Sequence, residues 1–78
     1  MKILCFGITK DIIGQFEYDF PYSENITVLE MKNKLSETFL DFKKLTSLRI
    51  AINSEYAEDN TIIKPSDEVV LIPPVSGG

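Results

Sequence analysis

Asp67-Glu68-Val69-Val70-Leu71-Ile72-Pro73-Pro74-Val75-Ser76-Gly77-Gly78 decides how the chain is read. Val69 to Ile72 are apolar at every position, the pattern of a strand covered on both faces. Pro73 and Pro74 then end it, because two adjacent prolines have locked φ and no amide hydrogen to offer a ladder. The chain must leave the sheet there in an extended, unpaired form. Val75, Ser76, Gly77 and Gly78 add about 12 Å of reach at roughly 3.1 Å per residue. Two final glycines without Cβ atoms can pass through a narrow channel, so the carboxylate of Gly78 is the candidate reactive group. The expected division is a folded body over residues 1–72 and an extended tail over residues 73–78.

Working back from that strand, Lys2 to Thr9 is a second segment apolar on both alternating faces, and it is expected beside Val69–Ile72 at the centre of a sheet. Lys10 to Gly14 reads as a turn. Gln15 to Phe20 alternates polar and aromatic residues, which predicts a half-buried strand and an N-terminal hairpin closed by Pro21. Thr27-Val28-Leu29-Glu30 is a capping box, so a helix should start at Val28. Val28, Met31, Leu35 and Phe39 recur at helical spacing opposite Lys32, Asn33, Ser36 and Glu37, which predicts one amphipathic helix of about three turns. Leu48 to Asn53 alternates again, Asn53-Ser54-Glu55 is turn chemistry, and Tyr56-Ala57 is a short edge segment. Thr61 to Asp67 carries the chain round a turn into the last strand.

One helix covers only one face of a mixed sheet. If Ile3, Cys5, Val69 and Leu71 face it, the opposite phase, Leu4, Phe6, Ile8, Val70 and Ile72, forms an apolar patch on the open face, joined by Tyr56. Contiguous exposed apolar surface marks interaction sites, so Phe6, Tyr56 and Ile72 are the candidate partner interface.

The chain has 78 residues, enough for one domain that buries about 60–65% of its unfolded surface. Its net charge is −4. Acids and bases balance over residues 1–50, whereas Glu55, Glu58, Asp59, Asp67 and Glu68 face only Lys64 afterwards. An acidic end repels nucleic acid and suits docking on a basic protein surface. No apolar run approaches the roughly 20 residues of a membrane span, and the lone Cys5 within an apolar segment fits a reducing, cytoplasmic location. Cys5 has no histidine in the chain to activate it, and there is neither a second cysteine nor a glycine-rich phosphate loop, so no catalytic machinery and no metal site are expected.

The element order, the Thr-Val-Leu-Glu-Met helix start, the Asp67-Glu68-Val69 strand start and the Pro73-Pro74-Val75-Ser76-Gly77-Gly78 ending resemble the MoaD branch of the ubiquitin-like sulfur-carrier family, the small subunits of molybdopterin synthases. The resemblance runs the length of the chain and is most specific in the final six residues. It implies an α+β β-grasp fold with one main helix packed on one face of a mixed sheet. It also implies that Gly78 is adenylated by an E1-like partner using ATP and Mg²⁺, then thiocarboxylated from a sulfur donor protein. Pro73, Pro74, Val75, Ser76 and Gly77 would insert the tail into the large synthase subunit, in a hetero-oligomer expected to be a heterotetramer. This chain would bind no cofactor itself. Sulfur carriers of other pathways (thiamine, tRNA thiolation, cysteine) and ubiquitin-like protein modifiers share the Gly-Gly end and are the alternatives.

Overall fold

The computed structural model of the chain describes residues 1–45 and 47–73. Strands β1 (Lys2–Cys5), β2 (Glu17–Asp19), β4 (Arg49–Ile52), β5 (Glu55–Ala57) and β7 (Val69–Ile72) form one sheet in the order β2-β1-β7-β4-β5. β1 and β7 lie side by side and parallel, pairing Ile3 with Val69, Leu4 with Val70 and Cys5 with Leu71. The other neighbours are antiparallel. β3 (Ile26–Thr27) and β6 (Ile62–Ile63) make a separate two-stranded ladder.

Helix α2 (Val28–Thr38) crosses one face of the large sheet. It starts where the capping box places it: the Glu30 amide donates to Thr27 Oγ1 at 3.1 Å, and the Thr27 amide donates to Glu30 Oε1 at 3.0 Å. Those two bonds satisfy donors that the first turn leaves without partners. The backbone bond from Thr27, then its side chain, hold the Glu30 carboxyl below the usual range. Val28, Met31 and Leu35 are fully buried with Ile3, Cys5, Ile50, Val69 and Leu71, as the helical and alternating phases require. Each such side chain contributes about 1.5–3 kcal/mol by leaving water. A 3-10 helix (Leu40–Lys44) follows and seats Phe42 in the same core. This is the expected α+β β-grasp.

The structure departs from the expectation in several places. β1 ends at Cys5, not Thr9, because Phe6 caps a helix, α1 (Gly7–Ile13), where the apolar run predicts more strand. The Thr9 hydroxyl accepts from the Phe6 amide at 3.0 Å and donates to the Phe6 carbonyl. Gly14, at φ 84°, closes the helix with its amide on the Lys10 carbonyl at 2.7 Å. The Lys10–Gly14 stretch is therefore the body and end of a helix, and β1 and β2 pair across it instead of forming a tight hairpin. The single helix becomes two. Ile8 leaves the sheet face, on α1. Finally, Ile62–Ile63 is a strand, with Ile63 buried.

Candidate functional site

β7 is the middle strand of the large sheet and runs directly into Pro73. Its two faces have different tasks. Val69 and Leu71 point to α2 and are fully buried, while Val70 and Ile72 point the other way and stay partly accessible. Where the chain leaves the sheet, Gly7 packs against it: a Cβ on Gly7, which sits at φ 55°, would meet Pro73 Cγ at 3.1 Å. The base of the tail thus packs against the start of α1 as it leaves β7.

The start of β7 is tied down by a knot of hydrogen bonds. Asn53 and Ser54 make a left-handed two-residue turn, φ 51° and 72°, between β4 and β5. Asn53 Nδ2 donates to Asp67 Oδ1 at 3.0 Å, the Lys64 amide donates to Asp67 Oδ2 at 2.8 Å, and the Glu68 amide donates to Asn53 Oδ1 at 2.9 Å. The Lys64 amide first, then Asn53, holds the Asp67 carboxyl below the ordinary carboxylate range. Two loops far apart in sequence are joined beside the strand that carries the tail.

The open face follows from the register. Glu17, Leu4, Val70, Ala51 and Tyr56 fall in one row across the five strands. Ile72 sits opposite Arg49 in the next row, and Phe6, one residue past the Cys5–Leu71 pair, continues that row. Val70, Ile72, Ala51 and Tyr56 line a depression of about 310 Å³ that Glu68 borders. Phe6 is 41% exposed, its ring edge-on to Phe16 at 5.0 Å, and Tyr56 is 63% exposed. The three residues expected at a partner interface, Phe6, Tyr56 and Ile72, therefore share one face. Leu4 and Val70 join them there, while Ile8 does not.

Arg49 belongs to this face and was absent from the expected set. Its guanidinium lies 4.5 Å from the centre of the Tyr56 ring. The signal was present in the alternation of β4, where Arg49 and Ala51 are out of phase with Ile50 and Ile52. Cys5 is buried among apolar groups, which pushes its thiol pKa up and makes it a core residue. Pro73 is the last described residue of the expected tail; Pro74, Val75, Ser76, Gly77 and Gly78 lie outside the described residues.

Comparison with known proteins agrees with this geometry. In solved structures the fold matches a putative molybdopterin converting factor, subunit 1, from Pyrococcus furiosus, with TM-score 0.83, 22% identity and 95% of each chain covered. It also matches SAMP1 from Haloferax volcanii, with TM-score 0.78, 20% identity and 99% and 97% covered. By sequence the chain is 34% identical to the molybdopterin synthase sulfur carrier subunit of Dictyostelium discoideum, over 99% of this chain and 94% of that protein. It is 30% identical to the Arabidopsis thaliana protein of the same name, over 100% of this chain and 82% of that one. The model of the ThiS family matches residues 3–78, spanning both the central strand and the end of the chain. On that match this chain belongs to the ThiS family.

Proposed function

We propose that the chain is a sulfur carrier, the small subunit of a molybdopterin synthase, with the carboxylate of Gly78 as the group that takes and gives up sulfur. The observation that carries this reading is that relatives aligned over the whole chain bear the name molybdopterin synthase sulfur carrier subunit. The fold supplies a physical reason, a central strand paired on both sides that runs directly into Pro73.

A carboxylate is a poor electrophile and its oxygen a poor leaving group. An E1-like partner therefore activates it: a Gly78 carboxylate oxygen attacks the α-phosphate of Mg²⁺-bound ATP, and pyrophosphate leaves. The terminal sulfur of a donor protein's persulfide then displaces AMP from the acyl-adenylate to form an acyl disulfide. A thiol attacks the donor's sulfur, forming a disulfide there and releasing the Gly78 thiocarboxylate. The tail, Pro73 to Gly77, inserts into the large subunit, whose residues direct the sulfur to the pterin precursor. The body, residues 1–72, contributes rigidity and the docking face, and the tail contributes reach and a slim end. Among the described residues no helix is long and apolar enough to cross a membrane. The proposed setting is the cytoplasm.

The test is the intact mass of the protein from cells that make molybdenum cofactor. A species heavier by the difference between one sulfur and one oxygen, absent after deletion of Gly78, is the expected result. The deletion should leave the melting temperature unchanged, because Gly78 comes after Pro73 and Pro74, beyond the body expected over residues 1–72. An unmodified mass in the presence of the E1-like enzyme, ATP and a sulfur source would sink the reading. Isopeptide-linked adducts of Gly78 would instead identify a protein modifier, the role for which small archaeal modifier protein 1 of Methanosarcina acetivorans, similar to this chain in fold, is named.

A further inference from the structure

We infer that Arg49 is a specificity-determining residue of the open face, held over Tyr56 to pair with a carboxylate on the protein that receives the tail. The inference rests on the carrier reading and adds the chemistry of the partner surface.

Three observations lead to it. Arg49 stands directly opposite Ile72, the residue before Pro73, so it is the cation at the tail end of the face. Its guanidinium is stacked on Tyr56 at 4.5 Å, and the ring limits how far it can swing. The described residues form ion pairs between the Met1 ammonium and Asp19, Lys2 and Glu17, Lys32 and Asp59, and Lys44 and Asp41, and none includes Arg49. An exposed arginine with no carboxylate to hold is unremarkable where it faces water. Here Ile72 stands opposite it and its guanidinium lies over Tyr56, part of the apolar surface that docking would dry. Glu58 and Asp59, which line a second depression with it, form no ion pair with it among the described residues. A charge desolvated without a partner is costly, so a docking protein that covers this patch must bring a carboxylate to Arg49. A planar guanidinium held on an aromatic ring is suited to grip that carboxylate with two parallel bonds.

The face also carries a direction. Glu68 borders the same depression at the other end of β7, about 13 Å from Ile72 at roughly 3.3 Å per residue. Along the open face the order is a mixed end where Glu68 lies near Lys2, then apolar residues, then Arg49 opposite Ile72 at the exit. A partner with a carboxylate beside its cleft and apolar surface next to it matches the exit end of the face, and that match points the tail into the cleft.

The experiment measures binding of the full chain to the purified molybdopterin synthase large subunit of the same organism, by calorimetry at low and high salt. Arg49→Ala should weaken binding roughly 30-fold. Arg49→Lys should recover only part of the loss, because an ammonium lacks the planar fork. Arg49→Glu should bind more weakly than Arg49→Ala, and an acid-to-arginine change at the facing position of the large subunit should restore it. Melting temperatures should stay near wild type, since Arg49 is exposed. Wild-type binding with Arg49→Ala within about twofold of it, or Arg49→Glu no weaker than Arg49→Ala, overturns the inference and leaves the carrier reading standing. Failure of the wild-type chain itself to bind overturns both.

Discussion

The two faces of β7 differ in everything except their backbone. Val69 and Leu71 are sealed against α2 with no accessible surface, while Val70 and Ile72, one residue along in each case, stay partly open beside Tyr56 and Arg49. A strand can do this because successive side chains point to opposite sides, so one set holds the fold while the other is free to meet a partner. The buried face makes the open one precise. Changes on the first should appear in stability and changes on the second in binding.

The largest effect should come from Leu71→Ala, which opens a cavity between β7 and α2. The expected cost is about 3 kcal/mol, lowering the melting temperature by more than about 12 °C in calorimetry. A shift of only a few degrees would mean that the buried face is not the one holding the fold. The neighbouring change Val70→Ala should cost about 1 kcal/mol or less, because the side chain is only partly buried. It should nevertheless weaken binding to the large subunit several-fold. Equal losses of stability from the two changes would erase the distinction between the faces.

The smallest effect concerns the knot that sets where β7 begins and serves both faces alike. The folded Asp67 carboxyl lies below its unfolded range, so its stabilisation is present above about pH 4 and is lost as pH falls through the folded value. Asp67→Asn should therefore be less stable than wild type at pH 6, and denaturation curves should converge as the solution is acidified. A gap that persists in acid would assign the effect to geometry instead of charge.

Where the signal is local, residue types alone are enough. Thr27 and Glu30 announce a helix start because both capping bonds lie within one turn. α1 escaped for an equally local reason: Ile8 prolongs the apolar run of β1, and Lys10-Asp11 with Gly14 reads as a turn, so a helix of seven residues is divided between a strand and a turn when periodicity is read alone. The β3–β6 ladder escaped because it is two residues long, and Ile26 finds Ile63 only across the intervening helix and hairpin. Short strands paired over long separations carry almost no periodicity.

The sequence by itself determined the central pair of strands, the main helix, the alternation that splits each central strand into two faces, and the proline-terminated exit. These depend on spacings of a few residues and on the backbone chemistry of proline. Only the tertiary structure decided which side chains meet on the open face. Arg49, Tyr56 and Ile72 come from three strands, and their contact depends on the register of β4 against both β5 and β7. Register between distant strands is set by how the whole core packs, so a chain read residue by residue holds the phase of each strand but not its neighbours.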